Sequence, residues 1–132
     1  MTRINCIPPS ELTRQHLVAE YRELPRVFGM VLGMVERGVT DPSLAVIPPT
    51  YRMGTGHMKF FVDKLGYLVK RQKALIAEMQ ARGYQPNHTD PDNLLANIPV
   101  SYHGDWEPTD EALAISLSLI HISEPTRQAE IS

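Results

Sequence analysis

The sequence predicts a mostly α-helical fold, a single compact domain of about three helices joined by long loops rich in Pro and Gly. Two long segments carry apolar residues at intervals of three or four, the period of an amphipathic helix. No segment shows the regular alternation of apolar and polar residues that indicates a half-buried strand. A chain of 132 residues has the size of one domain with its own hydrophobic core.

The first predicted helix covers residues 11–37. Two prolines exclude a helix from the arm before it, Ser10 is a candidate N-cap, and Gly38 is a natural C-cap. Pro25 lies inside the segment and cannot donate a hydrogen bond to the carbonyl of Tyr21, so we expect a kink near Tyr21. The predicted buried face consists of Leu17, Tyr21, Leu24, Phe28, Val31 and Val35.

Two further helices are predicted, separated by irregular segments. The second covers residues 57–82, and the third covers residues 111–116 with Thr109 as its candidate cap. Residues 38–56 and 84–109 contain many prolines and glycines and are expected to form loops. The second helix has seven candidate core residues, which are Phe60, Phe61, Leu65, Leu68, Leu75, Ile76 and Met79.

The composition argues against several classes of protein. A single cysteine, Cys6, rules out an internal disulfide framework and fits a reducing compartment, so we expect a cytoplasmic protein. The five His are scattered without metal-ligand spacing, and we predict no metal site. No apolar run reaches the roughly 20 residues of a membrane span, and no signal peptide is recognisable, so we expect no membrane partner. Cys6, Tyr102 and Trp106 are interpreted as packing residues.

Charge is distributed unevenly along the chain. The net charge of −2 does not by itself favour a nucleic-acid partner. Residues 1–82 contain twelve Lys and Arg against seven acids, a net charge of +5, whereas residues 83–132 have one Arg against eight acids, a net charge of −7. Since the local field steers a polyanion more than the total charge does, the first two-thirds of the chain could bind DNA.

The polar side of the first helix collects groups that could bind phosphate. On a helical wheel with Gln15 at zero, six residues fall between about 340° and 100°, opposite the apolar face. These residues are Gln15, His16, Ala19, Arg22, Glu23 and Arg26. The pattern leaves two interpretations open. One is a solvated face on which Glu23 pairs with Arg26 or Arg22, and the other is a phosphate-binding stripe with one catalytic carboxylate.

Three strings of residues carry a family resemblance. They are MTRIN at residues 1–5, HLVAEYRELPRVFG at residues 16–29 and GHMKFFVDKLGYLVKRQ at residues 56–72. These strings resemble the bacteriophage-type pyrimidine dimer glycosylases, also called endonuclease V, and shorter matches extend the resemblance over residues 2–116. Members of that family are mostly helical single-domain enzymes, which agrees with the fold predicted from periodicity.

The resemblance implies a DNA glycosylase with abasic-site lyase activity that needs no metal or other cofactor. Its implied partner is double-stranded DNA containing cyclobutane pyrimidine dimers or abasic sites, bound by a monomer. The implied nucleophile is the α-amine of Thr2 after removal of Met1, and the implied catalytic carboxylate is Glu23. The residues implied in binding the DNA or the lesion are Arg3, Gln15, His16, Arg22, Arg26 and His57.

This chemistry suits an α-amine, whose pKa of about 8 lies well below the roughly 10.4 of a lysine, so that a useful fraction is neutral near pH 7. The neutral amine can attack C1′ of the damaged nucleotide and form a Schiff base with the sugar. Elimination from that imine then breaks the strand.

The resemblance stops after Ser116, where the family continues with basic residues and a tail rich in Trp and Tyr. Residues 117–132 contain one Arg and no aromatic residue, and they look like translated sequencing-adapter sequence. We therefore predict a glycosylase-like domain over residues 1–116 and hypothesise that the divergent tail is not native. Three alternatives follow: an abasic-site lyase that has lost dimer recognition with its C-terminus, a non-catalytic module that binds damaged DNA, and a helical interaction protein that does not bind DNA.

Overall fold

Five α-helices lie within the described residues of the computed structural model, which are residues 3–52, 54 and 56–123, with side chains described as far as residue 118. They are α1 (Arg14–Glu23), α2 (Arg26–Glu36), α3 (His57–Phe60), α4 (Leu65–Ala81) and α5 (Asp110–Ser123). Across these residues the only β-type pairing is an isolated bridge between Lys64 and His103. The prediction of a mostly α-helical fold in one compact domain is confirmed.

The first predicted helix is divided into α1 and α2 at Pro25. The chain stays in the right-handed helical region at Leu24 and Pro25, but the ladder is interrupted because proline has no N–H to donate. The break therefore falls at the proline, later than the kink expected near Tyr21. The carbonyl of Tyr21, which the proline leaves without its helical donor, accepts a hydrogen bond of 2.9 Å from Nε2 of Gln72 in α4.

The start of the first helix was predicted three residues too early. Ser10 lies in a short 3₁₀ turn, Pro9–Glu11, rather than at the N-cap. Thr13 is the N-cap of α1, since its Oγ1 accepts a hydrogen bond of 3.3 Å from the backbone N–H of His16. The prolines before this point favour the tighter turn, so the helix begins only after them.

The second predicted helix is divided as well. Between α3 and α4, Nζ of Lys64 donates a hydrogen bond of 2.9 Å to the carbonyl of Phe60 and so caps the C-terminal end of α3. The segment around Gly104 packs onto the start of α4, where the N–H of Tyr67 donates 3.1 Å to the Gly104 carbonyl. A Cβ at Gly66 would lie 2.7 Å from the carbonyl oxygen of His103, so this close approach requires glycine there.

The hydrophobic core contains buried side chains from all five helices and from the N-terminal arm before α1. All seven core candidates of the second predicted helix are buried, as are Leu17, Leu24, Phe28 and Val31 of the first. Tyr21 and Val35 are half-buried against the same cluster. Cys6 and Tyr102 are buried, and Trp106 packs on Phe60 at a centroid distance of 5.2 Å, so their predicted packing roles are confirmed.

The last helix begins as predicted and extends further. The Oγ1 of Thr109 accepts a hydrogen bond of 3.1 Å from the N–H of Ala112, which confirms the cap. The helix then runs to Ser123 without interruption at residue 116, and the predicted division of the chain there stays a prediction. Among the described helices, none combines the length and apolar character needed to cross a membrane.

Candidate active site

The N-terminal arm is held by hydrogen bonds from several parts of the fold. The N–H of Ile4 donates 2.8 Å to Nε2 of His57, and the carbonyl of Ile4 accepts 2.8 Å from the hydroxyl of Tyr51. The N–H of Cys6 donates 3.2 Å to Oγ of Ser116 in α5. Because both polar backbone groups of Ile4 are engaged and its side chain is buried, the register of the arm is fixed.

A buried ion pair lies beneath the arm. The guanidinium of Arg71 in α4 contacts the carboxylate of Glu20 in α1 through two hydrogen bonds, Nε to Oε2 at 2.7 Å and NH2 to Oε1 at 3.1 Å. Glu20 also accepts a hydrogen bond of 2.9 Å from Nδ2 of Asn5. The NH1 group of Arg71 donates a further hydrogen bond to the carbonyl of Ile7. Burial opposes the charge of Arg71, but the Glu20 carboxylate outweighs it and raises the pKa of the guanidinium. The pair therefore joins the arm to both helices as charged groups.

A cavity of about 230 Å³ opens between the arm and α1. It is lined by four of the predicted site residues, Arg3, Gln15, His16 and Glu23, together with Asn5, Ala19 and Glu20. The cavity therefore brings residues of the N-terminal arm together with residues of the polar face of α1, although the two groups are separate in the sequence. Glu23 forms no ion pair among the residues that the structure describes, so the interpretation in which it pairs with Arg26 or Arg22 finds no support there.

Asn5 and Glu20 belong to this cavity but were not identified from the sequence. The buried Oδ1 of Asn5 has no hydrogen-bond partner among the described residues, which leaves an acceptor in the cavity wall. Glu20 could have been noticed, since it lies at about 140° on the helical wheel, next to the apolar face. Asn5 offered no such signal, because an asparagine in an extended arm is unremarkable by pattern alone.

His16 is oriented by the residue that caps its helix. Its Nδ1 lies 2.7 Å from Oγ1 of Thr13, the same oxygen that accepts the backbone N–H of His16. The ring is half-buried at the cavity edge. A capping residue therefore also sets the direction in which this imidazole faces.

Arg22 and Arg26 line a second, larger cavity rather than the first. This cavity of about 970 Å³ lies where α1, α2 and α4 face residues 85–94, and both arginine side chains are exposed at it. The hydroxyl of Tyr21 holds the facing segment by accepting 2.9 Å from the N–H of His88 and donating 3.2 Å to the His88 carbonyl. The polar face of the first helix is therefore divided, with the carboxylate in one cavity and the arginines in the next.

Two of the predicted site residues stand apart from these cavities. His57 is only 2% exposed, and both of its ring nitrogens contact backbone groups, at Ile4 and at the carbonyl of Arg52. Its predicted contact with DNA stays a prediction, which this burial does not favour. Thr2 lies outside the described residues, so its predicted role as the nucleophile stays a prediction.

The arrangement offers acid–base and anion-binding chemistry. A carboxylate, an imidazole and a guanidinium share the smaller cavity, and two exposed guanidinium groups face the larger one. Over the described residues, no group of three or more His, Cys, Asp or Glu side chains could hold a metal ion.

A family model described as pyrimidine dimer DNA glycosylase matches residues 1–92 of the chain. The matched segment contains the arm, α1 to α4 and every predicted site residue.

Proposed function

Because the chain belongs to the pyrimidine dimer DNA glycosylase family, we propose that it excises cyclobutane pyrimidine dimers through an imine between the α-amine of Thr2 and the deoxyribose, and then breaks the strand by elimination. The observation that carries this proposal is the cavity that both Arg3 of the N-terminal arm and Glu23 of α1 line. Thr2 precedes Arg3 directly, and consecutive Cα atoms are about 3.8 Å apart. Because Thr2 is bonded directly to Arg3, this short distance supports the proposal that the α-amine of Thr2 reaches the cavity.

The proposed reaction begins with the neutral amine. Its lone pair attacks C1′ of the 5′ nucleotide of the dimer, the glycosidic bond breaks, and the departing pyrimidine takes the bonding electrons and a proton. The nitrogen then loses one proton, and its lone pair forms the C=N bond as the C1′–O4′ bond breaks. O4′ takes the electrons of that bond and a proton to become a hydroxyl, which leaves a protonated imine at C1′. Glu23 would stabilise the positive charge that develops on the sugar, since a carboxylate at that position favours the transition state over the ground state.

Strand cleavage follows from the same imine. A base removes a proton from C2′, the electrons form a double bond between C2′ and C3′, and the 3′ phosphate leaves with the electrons of the C3′–O bond. Glu23 is the carboxylate proposed to move this proton. Water then hydrolyses the imine and releases the amine, so no redox step and no cofactor enters the sequence.

DNA binding is assigned to the exposed arginines. Arg22 and Arg26 at the larger cavity are suited to phosphate because a planar guanidinium can donate to two oxygens at once. Gln15 and His16 at the edge of the smaller cavity would contact the strand near the lesion. The larger cavity also offers space for groups displaced from a distorted duplex, and a lesion that weakens pairing makes such distortion less costly.

The proposal is tested by trapping the imine. Purified protein, with removal of Met1 checked by mass spectrometry, is incubated with borohydride and duplex DNA that contains one thymine dimer. We expect a covalent adduct that maps to Thr2, and no adduct with the undamaged duplex. An adduct with abasic DNA alone would show an abasic-site lyase that does not recognise dimers. DNA binding without any adduct would contradict the enzymatic proposal and leave a damaged-DNA binding module.

A further inference from the structure

The ring of His57 is held in one tautomer by its two backbone partners. Nδ1 lies 2.8 Å from the carbonyl oxygen of Arg52, which can only accept, so Nδ1 carries the hydrogen. Nε2 is then bare and accepts the N–H of Ile4 at 2.8 Å. A doubly protonated ring would direct an N–H against the N–H of Ile4. The contact with the arm therefore exists only when the ring is neutral.

Packing fixes the position of this ring. It meets Tyr51 and Phe61 edge-on at centroid distances of 5.5 Å and 5.7 Å. Tyr51 itself donates to the carbonyl of Ile4, so neighbouring side chains hold both the N–H and the carbonyl of this one residue. A buried, close-packed ring cannot follow the arm if the arm moves, and the hydrogen bond would be lost rather than adjusted.

From this geometry we propose that His57 is a positioning residue of the glycosylase reaction, which as a neutral ring holds the Ile4 amide and thereby sets the N-terminal arm against the Glu23 cavity. The inference rests on the proposed function of that cavity. Ile4 is adjacent to Arg3 and two residues from Thr2, so a shift of its amide is transmitted to the reacting end of the chain. His57 touches neither the cavity nor, on this proposal, the DNA.

The charges around His57 agree with a neutral ring. Burial is the first cause that lowers its pKa, and the positive charge of Arg3 on the arm acts in the same direction. The hydrogen bond to the Arg52 carbonyl and the negative charge of Glu20 in α1 oppose this shift without reversing it. The positive charge of Arg3 therefore favours the neutral form of the His57 ring.

Two substitutions separate the contacts of the two ring nitrogens. In His57→Gln the side-chain oxygen can take the place of Nε2 and accept from Ile4. In His57→Asn the shorter amide can take the place of Nδ1 and donate to Arg52, while the acceptor for Ile4 is lost. The pair keeps polarity similar and differs in the contact that the proposal invokes.

The experiment measures the single-turnover rate of imine trapping on thymine-dimer DNA, the Kd for that DNA, and amide hydrogen exchange at Ile4. For His57→Asn we expect a trapping rate lower by about 100-fold, the effect of a misplacement of about 1 Å, with an unchanged Kd and faster exchange at Ile4. For His57→Gln we expect a rate close to that of the wild type and slow exchange at Ile4.

The pH profile provides the readout that a merely structural role would not move. The ratio of the wild-type rate to the His57→Gln rate cancels the titration of the amine, because both proteins share it. Burial holds the pKa of His57 in the folded protein below its ordinary value of about 6.5, so this ratio should be constant above pH 6.5 and fall only at the lower pH where the buried ring takes up a proton. If His57→Asn fails to fold, the ratio of the wild-type rate to the His57→Gln rate still tests the proposal.

Three results would overturn the proposal: a folded His57→Asn protein with the wild-type rate, a rate ratio independent of pH, or a loss of affinity in both variants with rates unchanged. The last result would return His57 to the role of a DNA contact. A wild-type protein that forms no adduct would instead refute the proposed function, and exchange at Ile4 would still report whether His57 holds the arm.

Discussion

The carboxylate of Glu20 and the guanidinium of Arg71 form an ion pair that is almost completely excluded from solvent, with side-chain exposures of 0% and 5% and an Nε–Oε2 distance of 2.7 Å. The pair joins α1 to α4 at the level of the N-terminal arm. Removal of one partner from such a pair leaves an uncompensated buried charge, which typically costs 3–5 kcal/mol, whereas replacement of both partners by apolar residues is often tolerated.

We therefore expect Glu20→Gln to lower the free energy of unfolding by about 3 kcal/mol, because it leaves the Arg71 charge buried without its counter-ion. Chemical denaturation followed by circular dichroism measures the loss. Lys70→Ala is the matched control, since the adjacent lysine pairs with Asp105 at the same distance of 2.7 Å but with exposures of 69% and 61%. An exposed pair is screened by water, and no measurable loss is expected there. Equal effects of the two substitutions would show that burial does not govern the strength of the Glu20 pair.

Glu23→Gln should separate catalysis from folding. Glu23 lines the small cavity and is half-buried, so the amide fits its place without a buried charge left behind. We expect unchanged unfolding and dimer-DNA affinity, and a fall in strand cleavage of about 100-fold or more, as for removal of a general acid–base group. Cleavage and binding are measured on the same duplex. Cleavage at the wild-type rate would contradict the catalytic role and return Glu23 to the solvated-face interpretation.

The two exposed arginines at the larger cavity should act on affinity. Arg22→Ala and Arg26→Ala are each expected to weaken binding to dimer and undamaged duplex alike and to reduce the slope of log K against log salt by about 1. Arg37→Ala is the control, because this arginine is also exposed but lies at the far end of α2, away from both cavities. A salt slope that falls equally in all three variants would mean that DNA is bound through general charge rather than at the cavity.

Stability should depend on pH through His57. Burial lowers the pKa of this ring in the folded state, so the unfolded chain takes up a proton near pH 6.5 while the folded protein does not until lower pH. Between these two pKa values the unfolded state binds more protons, and the free energy of unfolding falls as the pH falls. Above pH 6.5 the ring is neutral in both states and contributes no pH dependence.

The difference in unfolding free energy between the wild type and His57→Gln, measured at a series of pH values, isolates this contribution from the other histidines. As the pH falls below about 6.5, we expect the unfolding free energy of the wild type to decrease relative to that of His57→Gln. A difference that does not change with pH would contradict a buried neutral His57.

Periodicity predicted much of this molecule, and its failures have a common cause. The spacing of Leu17, Leu24 and Phe28 identified a buried helix face, because local spacing alone decides which side of a helix is apolar. The polar face of the same helix held Glu23, and the family resemblance connected it with Arg3. What spacing could not show are contacts between segments far apart in sequence, such as the pairing of Glu20 with Arg71.

His57 illustrates the same limit. The family resemblance implied a contact of His57 with DNA, whereas its partners in the structure are backbone groups of Ile4 and Arg52, and backbone groups leave no trace in a residue pattern. The close approach of residues 103 and 104 to Gly66 at the start of α4 is a similar case, since these partners are far from Gly66 in the sequence. Such features become visible only when the tertiary structure brings the partners together.

Gln72 and Pro25 provide a further case that can be tested by a double-mutant cycle. Pro25 deprives the Tyr21 carbonyl of its helical donor, and Nε2 of Gln72 supplies one from α4. Gln72→Met removes that donor, which typically costs 1–3 kcal/mol for a buried carbonyl, although removal of the unpaired Oε1 of Gln72 offsets part of it. We expect a net loss of about 1 kcal/mol. Gln80→Met, on the exposed side of the same helix, should be nearly neutral.

The second arm of the cycle restores the helical donor. Leu24 and Pro25 already have helical backbone angles, so Pro25→Ala places an N–H where it can reach the Tyr21 carbonyl. With that donor present, Gln72→Met should cost less than it does in the wild-type background, because the carbonyl is no longer left unpaired. Equal costs in the two backgrounds, measured by denaturant unfolding, would mean that Gln72 stabilises the junction of α1 and α4 by packing and not through the carbonyl that the proline exposes.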